Sequence, residues 1–216
     1  MIGILLALQV NDWSQERQNR KYEKEYLERL ILDIDNDSSK VKYIFKELER
    51  KKERLFAVRE VLDDPSIILS DSIVLLLNRS HTLETDLPNA RLTATYQEIL
   101  SSGHLRLIRN TELRNSITNY YAVWDHNDYR IENKQSDYPS LVLQIVDRGN
   151  VFVDHPFYTG KSLAEVLSFY NIELEFRLNF MKEVNYMVFT KRIVEALEKR
   201  VTNLKAQILE ELEKLK

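Results

Sequence analysis

The chain has 216 residues, 31 of them basic and 34 acidic, and these charges alternate without forming the uncompensated basic face that a general nucleic-acid binder needs. Cysteine is absent, which excludes disulfides, thiolate metal sites and thiol catalysis. With 4 glycines and 4 prolines the chain lacks the turn residues of a many-stranded β protein, so we predict an all-α fold with long helices.

Residues 2–13 form an apolar run that ends at a polar boundary. Trp13 follows two polar residues, a position where an aromatic side chain is typical of a membrane interface. At about 1.5 Å per residue, a helix of this length crosses about half of a hydrocarbon layer roughly 30 Å thick. The run lacks the basic residues and cleavage site of a signal peptide. Three interpretations remain: part of a membrane-spanning helix, an interfacial anchor, or a buried segment of a soluble bundle.

A long helix is predicted over residues 13–62, because no proline or glycine interrupts them and apolar residues recur there at alternating steps of four and three. The predicted seam consists of Leu27, Ile31, Ile34, Ser38, Val41, Phe45, Leu48, Lys52, Leu55, Arg59 and Leu62. Leu30, Ile44 and Val58 widen this stripe, which favours a bundle helix over a two-stranded coil. The polar positions Ser38, Lys52 and Arg59 either specify register or extend to water beside an adjusted seam.

Two breaks and a short helix follow. Asp63, Asp64 and Pro65 are expected to end the long helix, because the residue before a proline is disfavoured in the α conformation. A short apolar helix is predicted from Asp71 to Arg79, and residues 80–92 are predicted to be a loop.

The central segment is predicted to be a helix, a turn and a second helix. Thr95 to Ser101 is helical, Gly103 supplies the left-handed residue that ends it, and Asn110 caps the next helix. One face of the second helix presents Leu113, Ile117, Tyr120 or Tyr121, and Trp124. A DNA-reading motif is disfavoured, because the acidic residues Glu112, Asp125 and Asp128 would face phosphates.

Two motifs resemble a family of uncharacterised bacterial single-pass membrane proteins. The stretch from Gly3 to Trp13 is similar to the end of that family's transmembrane helix, which reads G-I-L-x-A-L-Q-x-N-x-W before a charged helix. The stretch from Thr95 to Gly103, continuing to Arg114, is similar to its central motif. In that family a basic tail and the first half of the span precede the glycine, and this sequence contains neither. The resemblance implies a membrane-anchored protein, with the helical domain outside the cytoplasm if the basic tail precedes the span.

The remaining chain is also predicted to be helical. The second motif helix is expected to reach about Gln135, to break near Pro139 and to resume over Leu141 to Ile145, before a loop at residues 147–160. Residues 162–216 contain no proline or glycine, and alternating apolar residues at 172–180 offer a strand as the alternative to a helix. A heptad pattern predicts that this last helix packs antiparallel to the first. Its positions are Val194, Leu197, Val201, Leu204, Ile208 and Leu215.

Two polar clusters are candidate sites. Asp33 to Asp37 resembles the start of a calcium loop, but Ser38 and Ile44 stand where that loop needs glycine and glutamate, so a solvated helix face is predicted. Asp125, His126 and Asp128 offer carboxylates beside an imidazole, although close neighbours do not share a helix face. A metal site there would need further ligands such as His104 or His155, and surface polar residues are the simpler interpretation.

The sequence therefore predicts an elongated all-α bundle with long antiparallel N- and C-terminal helices, preceded by the end of a membrane helix. Residues 1–13 are assigned to the membrane helix and residues 14–216 to the bundle. The expected function is a membrane-anchored structural or interaction module that contacts the bilayer through residues 2–13 and a protein partner, or itself, through its seams. The alternatives are a hydrolase or metal-binding protein using Asp125, His126 and Asp128, and an extracytoplasmic sensor bundle. No catalytic residue, cofactor, metal or small-molecule ligand is predicted.

Overall fold

The computed structural model describes residues 2–81, 93–132, 136–148 and 160–215. Within these ranges the regular elements are helices, as predicted, and no β-strand is present. The α-helices are α1 (Ile2–Asp63), α2 (Asp71–Ser80), α3 (Ala94–Ser101), α4 (Thr111–Glu132), α5 (Tyr138–Arg148), α6 (Leu163–Phe169) and α7 (Glu173–Lys214), with a 3₁₀ turn at His104–Leu107 between α3 and α4.

Helix α1 is continuous from the apolar start of the chain to its predicted end. It finishes at Asp63, and the Asp64 carboxylate then accepts hydrogen bonds from the backbone N–H of Ser66 at 2.9 Å and from its hydroxyl at 2.6 Å. Because Asp64 precedes Pro65, it is disfavoured in the α conformation and takes part in a turn instead. The predicted short helix is confirmed as α2.

Two compact units can be distinguished, and α1 and α7 each contribute to both. The first unit comprises Met1–Lys42, Pro88–Asn127 and Ala196–Lys216, so that α3 and most of α4 belong to it. The second comprises Tyr43–Leu87 and Asp128–Glu195, with α2, α5 and α6.

The core of the first unit contains the predicted apolar face of α4. All five residues of that face are buried: Leu113, Ile117, Tyr120, Tyr121 and Trp124. The ring of Tyr121 stacks on that of Tyr96 with centroids 3.9 Å apart. On α7, the predicted heptad positions from Val194 to Ile208 are also buried, which confirms that seam.

Ion pairs fix the antiparallel alignment of α1 and α7. In the second unit, Lys191 Nζ lies 2.6 Å from Glu49 Oε1, and Arg177 Nη1 lies 3.2 Å from Asp63 Oδ1. Residue numbers therefore increase along α1 while those of the partners decrease along α7, so the two helices run antiparallel. In the first unit Lys205 pairs with Asp35. Successive partners are two heptads apart on each helix, which is the spacing expected of one repeating helix face.

The buried stripe of α1 differs from the predicted seam at every second position. Every seventh residue from Leu27 to Leu62 is buried as predicted. The intervening positions shift by one, from Ser38 and Lys52 to the buried Asp37 and Lys51, and Leu30 and Val58 are fully buried. Ser38, Lys52 and Arg59 therefore do not occupy the core. The predicted seam and the observed stripe both contain apolar residues. A polar partner on the facing helix determines which of the two is buried.

That partner is Glu183, which forms a buried ion pair with Lys51. The two side chains are 0 % and 2 % exposed, and Lys51 Nζ lies 2.5 Å from Glu183 Oε1. Lys51 also donates to the carbonyl oxygen of His81 at 3.4 Å. Two buried charges are tolerated when each compensates the other, whereas either one alone carries a large desolvation cost.

The predicted break near Pro139 is present, because α4 ends at Glu132 and a separate helix, α5, begins at Tyr138. This helix starts before the expected Leu141 and places Pro139 in its first turn, where no helical bond to its missing N–H is needed. The alternating residues of 172–180 belong to α7. Phe176 and Phe180 are buried one helical turn apart, while Leu174 and Leu178 are exposed. Most of the predicted loops at 80–92 and 147–160 lies outside the described residues.

We expect Lys51→Met to lower the free energy of unfolding by about 3 to 5 kcal/mol, because the Glu183 carboxylate would remain buried without its counter-charge. The double variant Lys51→Met, Glu183→Met should recover much of this loss. Lys52→Met is the matched control, and it should change stability by less than about 0.5 kcal/mol. Urea unfolding followed by circular dichroism measures all three. Equal losses for Lys51→Met and Lys52→Met would contradict the assignment of the core stripe.

Candidate functional site

The candidate acid and imidazole cluster lies on the solvent side of α4. Asp125 and His126 are exposed, whereas the preceding Trp124 is buried. The side chain of Asp128 and the whole of His155 lie outside the described residues. Among the residues that are described, no group of three or more His, Cys, Asp or Glu side chains is arranged to hold a metal ion. The geometry therefore adds no further ligand to Asp125 and His126.

The acidic run from Asp33 to Asp37 is not the solvated face that the sequence predicts. Asp33 and Asp37 are 6 % and 0 % exposed, and the hydroxyl of Tyr120 donates to Asp37 Oδ2 at 2.8 Å. Asp35 pairs with Lys205 on α7. Asp37 and Asp35 therefore join α1 to α4 and α7, respectively. Their partners are distant in sequence, so local spacing contained no signal for this role.

The central motif forms the connection that the sequence predicts and packs on α1. Gly103 has a φ of 69°, in the left-handed region that glycine adopts without strain. The Asn110 side chain accepts hydrogen bonds at 3.1 Å from the backbone N–H groups of Glu112 and Leu113, which confirms the predicted cap. Asn110 also donates to Glu211 Oε2 on α7 at 2.9 Å.

Arg109 binds two carboxylates of α1 at once. Its guanidinium pairs with Glu16, and its backbone N–H donates to Glu23 Oε1 at 2.7 Å. Glu23 is fully buried, so this N–H supplies a hydrogen bond that water cannot. The hydrogen bond from Arg109 holds the pKa of Glu16 below its ordinary value. Two acidic groups of α1 are thus committed to the motif.

A polar chain of four residues forms the second contact between the motif and α1. Arg29 Nη2 lies 2.6 Å from Glu98 Oε2, and the Tyr26 hydroxyl donates to Glu98 Oε1 at 3.2 Å. His104 Nδ1 lies 2.8 Å from the same hydroxyl. Since that hydroxyl has one proton and donates it to Glu98, it accepts from the Nδ1–H of His104. His104, named above as a possible further metal ligand, also stacks on Tyr22 with centroids 5.9 Å apart.

The start of α1 exposes large apolar side chains on more than one face. Leu6, Leu8, Val10 and Trp13 are 55 %, 53 %, 64 % and 64 % exposed. Positions 6, 10 and 13 share one side of a helix, whereas position 8 lies on the opposite side. Within the described ranges, no helix holds a stretch long and apolar enough to cross a membrane.

A second exposed apolar surface lies in the second unit, and we call it the α7 stripe. It consists of Leu174, Leu178, Met181 and Val188, which are 73 %, 55 %, 51 % and 41 % exposed. Their spacing follows one helix face. Next to Met181 is a groove between α7 and α1, with an apolar floor and Lys52 and Arg59 at its edge. The floor contains Leu55, Phe56, Phe180, Val184 and Met187.

Comparison with known families identifies the chain. The family model described as "Family of unknown function (DUF6090)" matches residues 1–142. The chain belongs to this family. No curated protein and no solved structure matches the chain. The expectation of an uncharacterised family is thereby confirmed, while the membrane span and the two motifs are not described by the match.

The matched region contains both partners of the contact between the motif and α1. Glu16, Glu23 and Arg29 on α1, and Glu98 and Arg109 in the motif, all lie within residues 1–142. The match extends into α5 and does not include α6 or α7. The DUF6090 region is therefore folded partly against a helix that lies beyond it.

We expect the Glu98→Gln substitution to make the melting temperature of the protein less dependent on pH in the acidic range. The hydrogen bond from Arg29 holds the pKa of Glu98 below its ordinary value of 4.5, so its contribution to stability is present above that pH and is lost as the pH falls through the lower folded value. The Tm of Glu98→Gln should therefore lie below that of the wild type at pH 7, and the gap should close as the pH falls through the lowered pKa of Glu98 in the folded state. Thermal melts across this range test the shift. Glu60→Gln, an exposed change on α1, is the control, and a constant gap for Glu98→Gln would contradict the expectation.

Proposed function

We propose that this protein is a membrane-anchored helical module of the DUF6090 family that binds a protein partner. The observation that carries the proposal is the exposure of Leu6, Leu8, Val10 and Trp13 at the start of α1. Leaving large apolar side chains in water on opposite sides of a helix is unfavourable, and a hydrocarbon environment removes that cost on all sides.

The sequence around this end supports an anchor rather than a docking helix. A helix that docks on a protein has one apolar side and one polar side, whereas the start of α1 is apolar on both. Trp13 marks the boundary, and Arg17 lies over its ring at 5.8 Å from the centroid. The resemblance of residues 3–13 to the end of a transmembrane helix agrees with this assignment.

The α7 stripe and its groove support a protein partner. Contiguous exposed apolar surface on a soluble unit commonly marks an interaction site. The groove beside Met181 has an apolar floor and cationic groups at its edge, the arrangement that receives one side of an amphipathic helix. Lys52, Arg59 and Lys182 are positive and Glu175 is negative. Glu49 lies 3.5 Å from Lys52 and Asp63 lies 3.5 Å from Arg59, but exposed pairs at this distance neutralise little charge. A helix with acidic flanks therefore fits this surface better than a basic one.

A second copy of the chain fits the stripe less well. In a symmetric antiparallel pairing centred on Met181, Lys182 of one copy would lie near Lys182 of the other, and like charges at an interface are unfavourable. The proposed partner is therefore a different protein that offers an acidic amphipathic helix.

We expect the protein, expressed from its complete natural reading frame, to sediment with membranes and to resist extraction with alkaline carbonate. Peripheral proteins are released by this treatment because their polar contacts are lost, whereas apolar side chains held in hydrocarbon are not. Replacing Leu6, Leu8 and Val10 with Gln should move the protein to the soluble fraction. Replacing the exposed Leu32, Leu75 and Leu209 with Gln is the matched control and should not. Release of the unmodified protein by carbonate would refute the anchor.

We expect a photocrosslinking residue at Leu178 to give a specific adduct in membranes of the native host. The same residue at Leu209, an exposed leucine of α7 in the first unit, is the control and should give none. Lys52→Glu combined with Lys182→Glu should weaken the Leu178 adduct at least tenfold, because acidic flanks would then be repelled. Mass analysis of the adduct identifies the partner. An adduct between two copies, or equal adducts from both positions, would contradict the proposed heterologous site.

A further inference from the structure

The residues that follow Trp13 on α1 are sorted by charge. Arg17, Lys21 and Lys24 recur at steps of four and three, so they share one side of the helix with Trp13, and we call them the basic face. The first two are exposed, and the side chain of Lys24 is 45 % exposed.

Two carboxylates of this segment are directed elsewhere by the fold. Glu16 and Glu23 bind Arg109 of the central motif, on the side of α1 that packs into the first unit. Arg20 lies 3.7 Å from Glu23. Glu25 is exposed and Glu28 approaches Lys24 at 3.9 Å, but exposed pairs neutralise little charge, and both glutamates lie farther from Trp13 than Lys21 does. The motif therefore engages the two glutamates nearest to Arg17 and Lys21, although the sequence of the segment reads as balanced.

We propose that the basic face binds the phosphate groups of anionic lipids at the surface of the bilayer that holds residues 2–13. The proposal rests on the anchor proposed above, which brings the face to a membrane surface. It also specifies the class of lipid that the anchored chain binds.

The distances along the helix agree with this placement. With Trp13 at the hydrocarbon boundary and a rise of about 1.5 Å per residue, Arg17 lies about 6 Å beyond the boundary if α1 leaves the bilayer upright. That is within the headgroup layer, which is roughly 5 to 8 Å thick on each side. Lys21 lies about 12 Å out and reaches back with its long side chain. The backbone of Lys24, at about 16 Å, lies slightly more than one Debye length, about 8 Å at physiological salt, beyond the headgroups, so its contribution is the weakest of the three.

The experiment measures binding of the full chain to vesicles. One set is phosphatidylcholine, and in the other about a third of the lipid is phosphatidylglycerol. We expect tighter binding to the anionic set, with a loss of about fivefold for each basic-face charge removed at the surface. The triple variant Arg17→Gln, Lys21→Gln, Lys24→Gln should lose more than tenfold on anionic vesicles and little on neutral ones. Among the single variants, Arg17→Gln should lose most and Lys24→Gln least.

The matched control is Lys46→Gln, Arg192→Gln, Lys199→Gln, which removes the same number of lysines and arginines from exposed positions of α1 and α7 outside the basic face. It should bind both vesicle types like the unmodified chain. Equal binding of the unmodified chain to both vesicle types, or equal losses in the triple variant and the control, would overturn the proposal.

Two further outcomes distinguish failure of the basic-face proposal from failure of the anchor proposal. Binding to anionic vesicles alone, abolished in the triple variant, would support the basic face while refuting the hydrophobic anchor. Absence of binding to either set would overturn both proposals. Inorganic phosphate, added at constant ionic strength, should not displace the chain from anionic vesicles, and displacement would reassign the basic face to a soluble phosphate ligand.

Discussion

Helix α1 is 62 residues long, and its apolar stripe must be covered by other parts of the chain along most of that length. A helix cannot bury its own seam, and most of the stability of helices in proteins comes from packing of the amphipathic face. Helix α7 covers part of the stripe in both units, and α3 and α4 complete the first unit. Before the first buried residue of α1, the large apolar side chains of Leu6, Leu8, Val10 and Trp13 are exposed.

Polar side chains in the core determine which face of α1 is buried. Two polar pairs occupy seam positions: Lys51 with Glu183 in the second unit, and Asp37 with Tyr120 in the first. Apolar residues at these positions would carry a smaller desolvation cost. Each residue needs its partner at one register, so a shift of a single residue would leave a buried group unsatisfied. In both cases an adjacent residue, Ser38 or Lys52, lies outside the core. The polar contacts thereby distinguish two stripes that apolar packing alone would not.

The central motif links the fold to the proposed function. It packs on α1 through Arg109 and Glu98, close to the segment that follows the proposed anchor. The motif binds two carboxylates of that segment, Glu16 and Glu23, and leaves Arg17 and Lys21 exposed. The same contacts that complete the first unit thus also shape the surface that we assign to the membrane.

Much of the architecture could be predicted from the sequence. The scarcity of glycine and proline indicated long helices, the heptads indicated that α1 and α7 pack against each other, and Gly103 and Asn110 marked a turn and a cap. These features depend on local conformational preferences and on helical periodicity, which neighbouring residues encode. The apolar start of α1 was also evident from its composition, whereas its exposure was not.

The tertiary structure decided the features that depend on distant partners. A carboxylate such as Asp37 reads as solvated until Tyr120 is placed beside it, and Lys51 and Lys52 are indistinguishable until Glu183 faces one of them. The α7 stripe could not be predicted for a similar reason. Leu174 and Leu178 are leucines like many core residues, and only the orientation of α7 shows that they are exposed. Likewise, the segment after Trp13 has balanced charges in sequence, and only the fold shows that Arg109 binds two of its carboxylates, Glu16 and Glu23. The sequence by itself therefore determined the helices and the apolar start, and packing between distant segments determined which faces are buried, paired or left for partners.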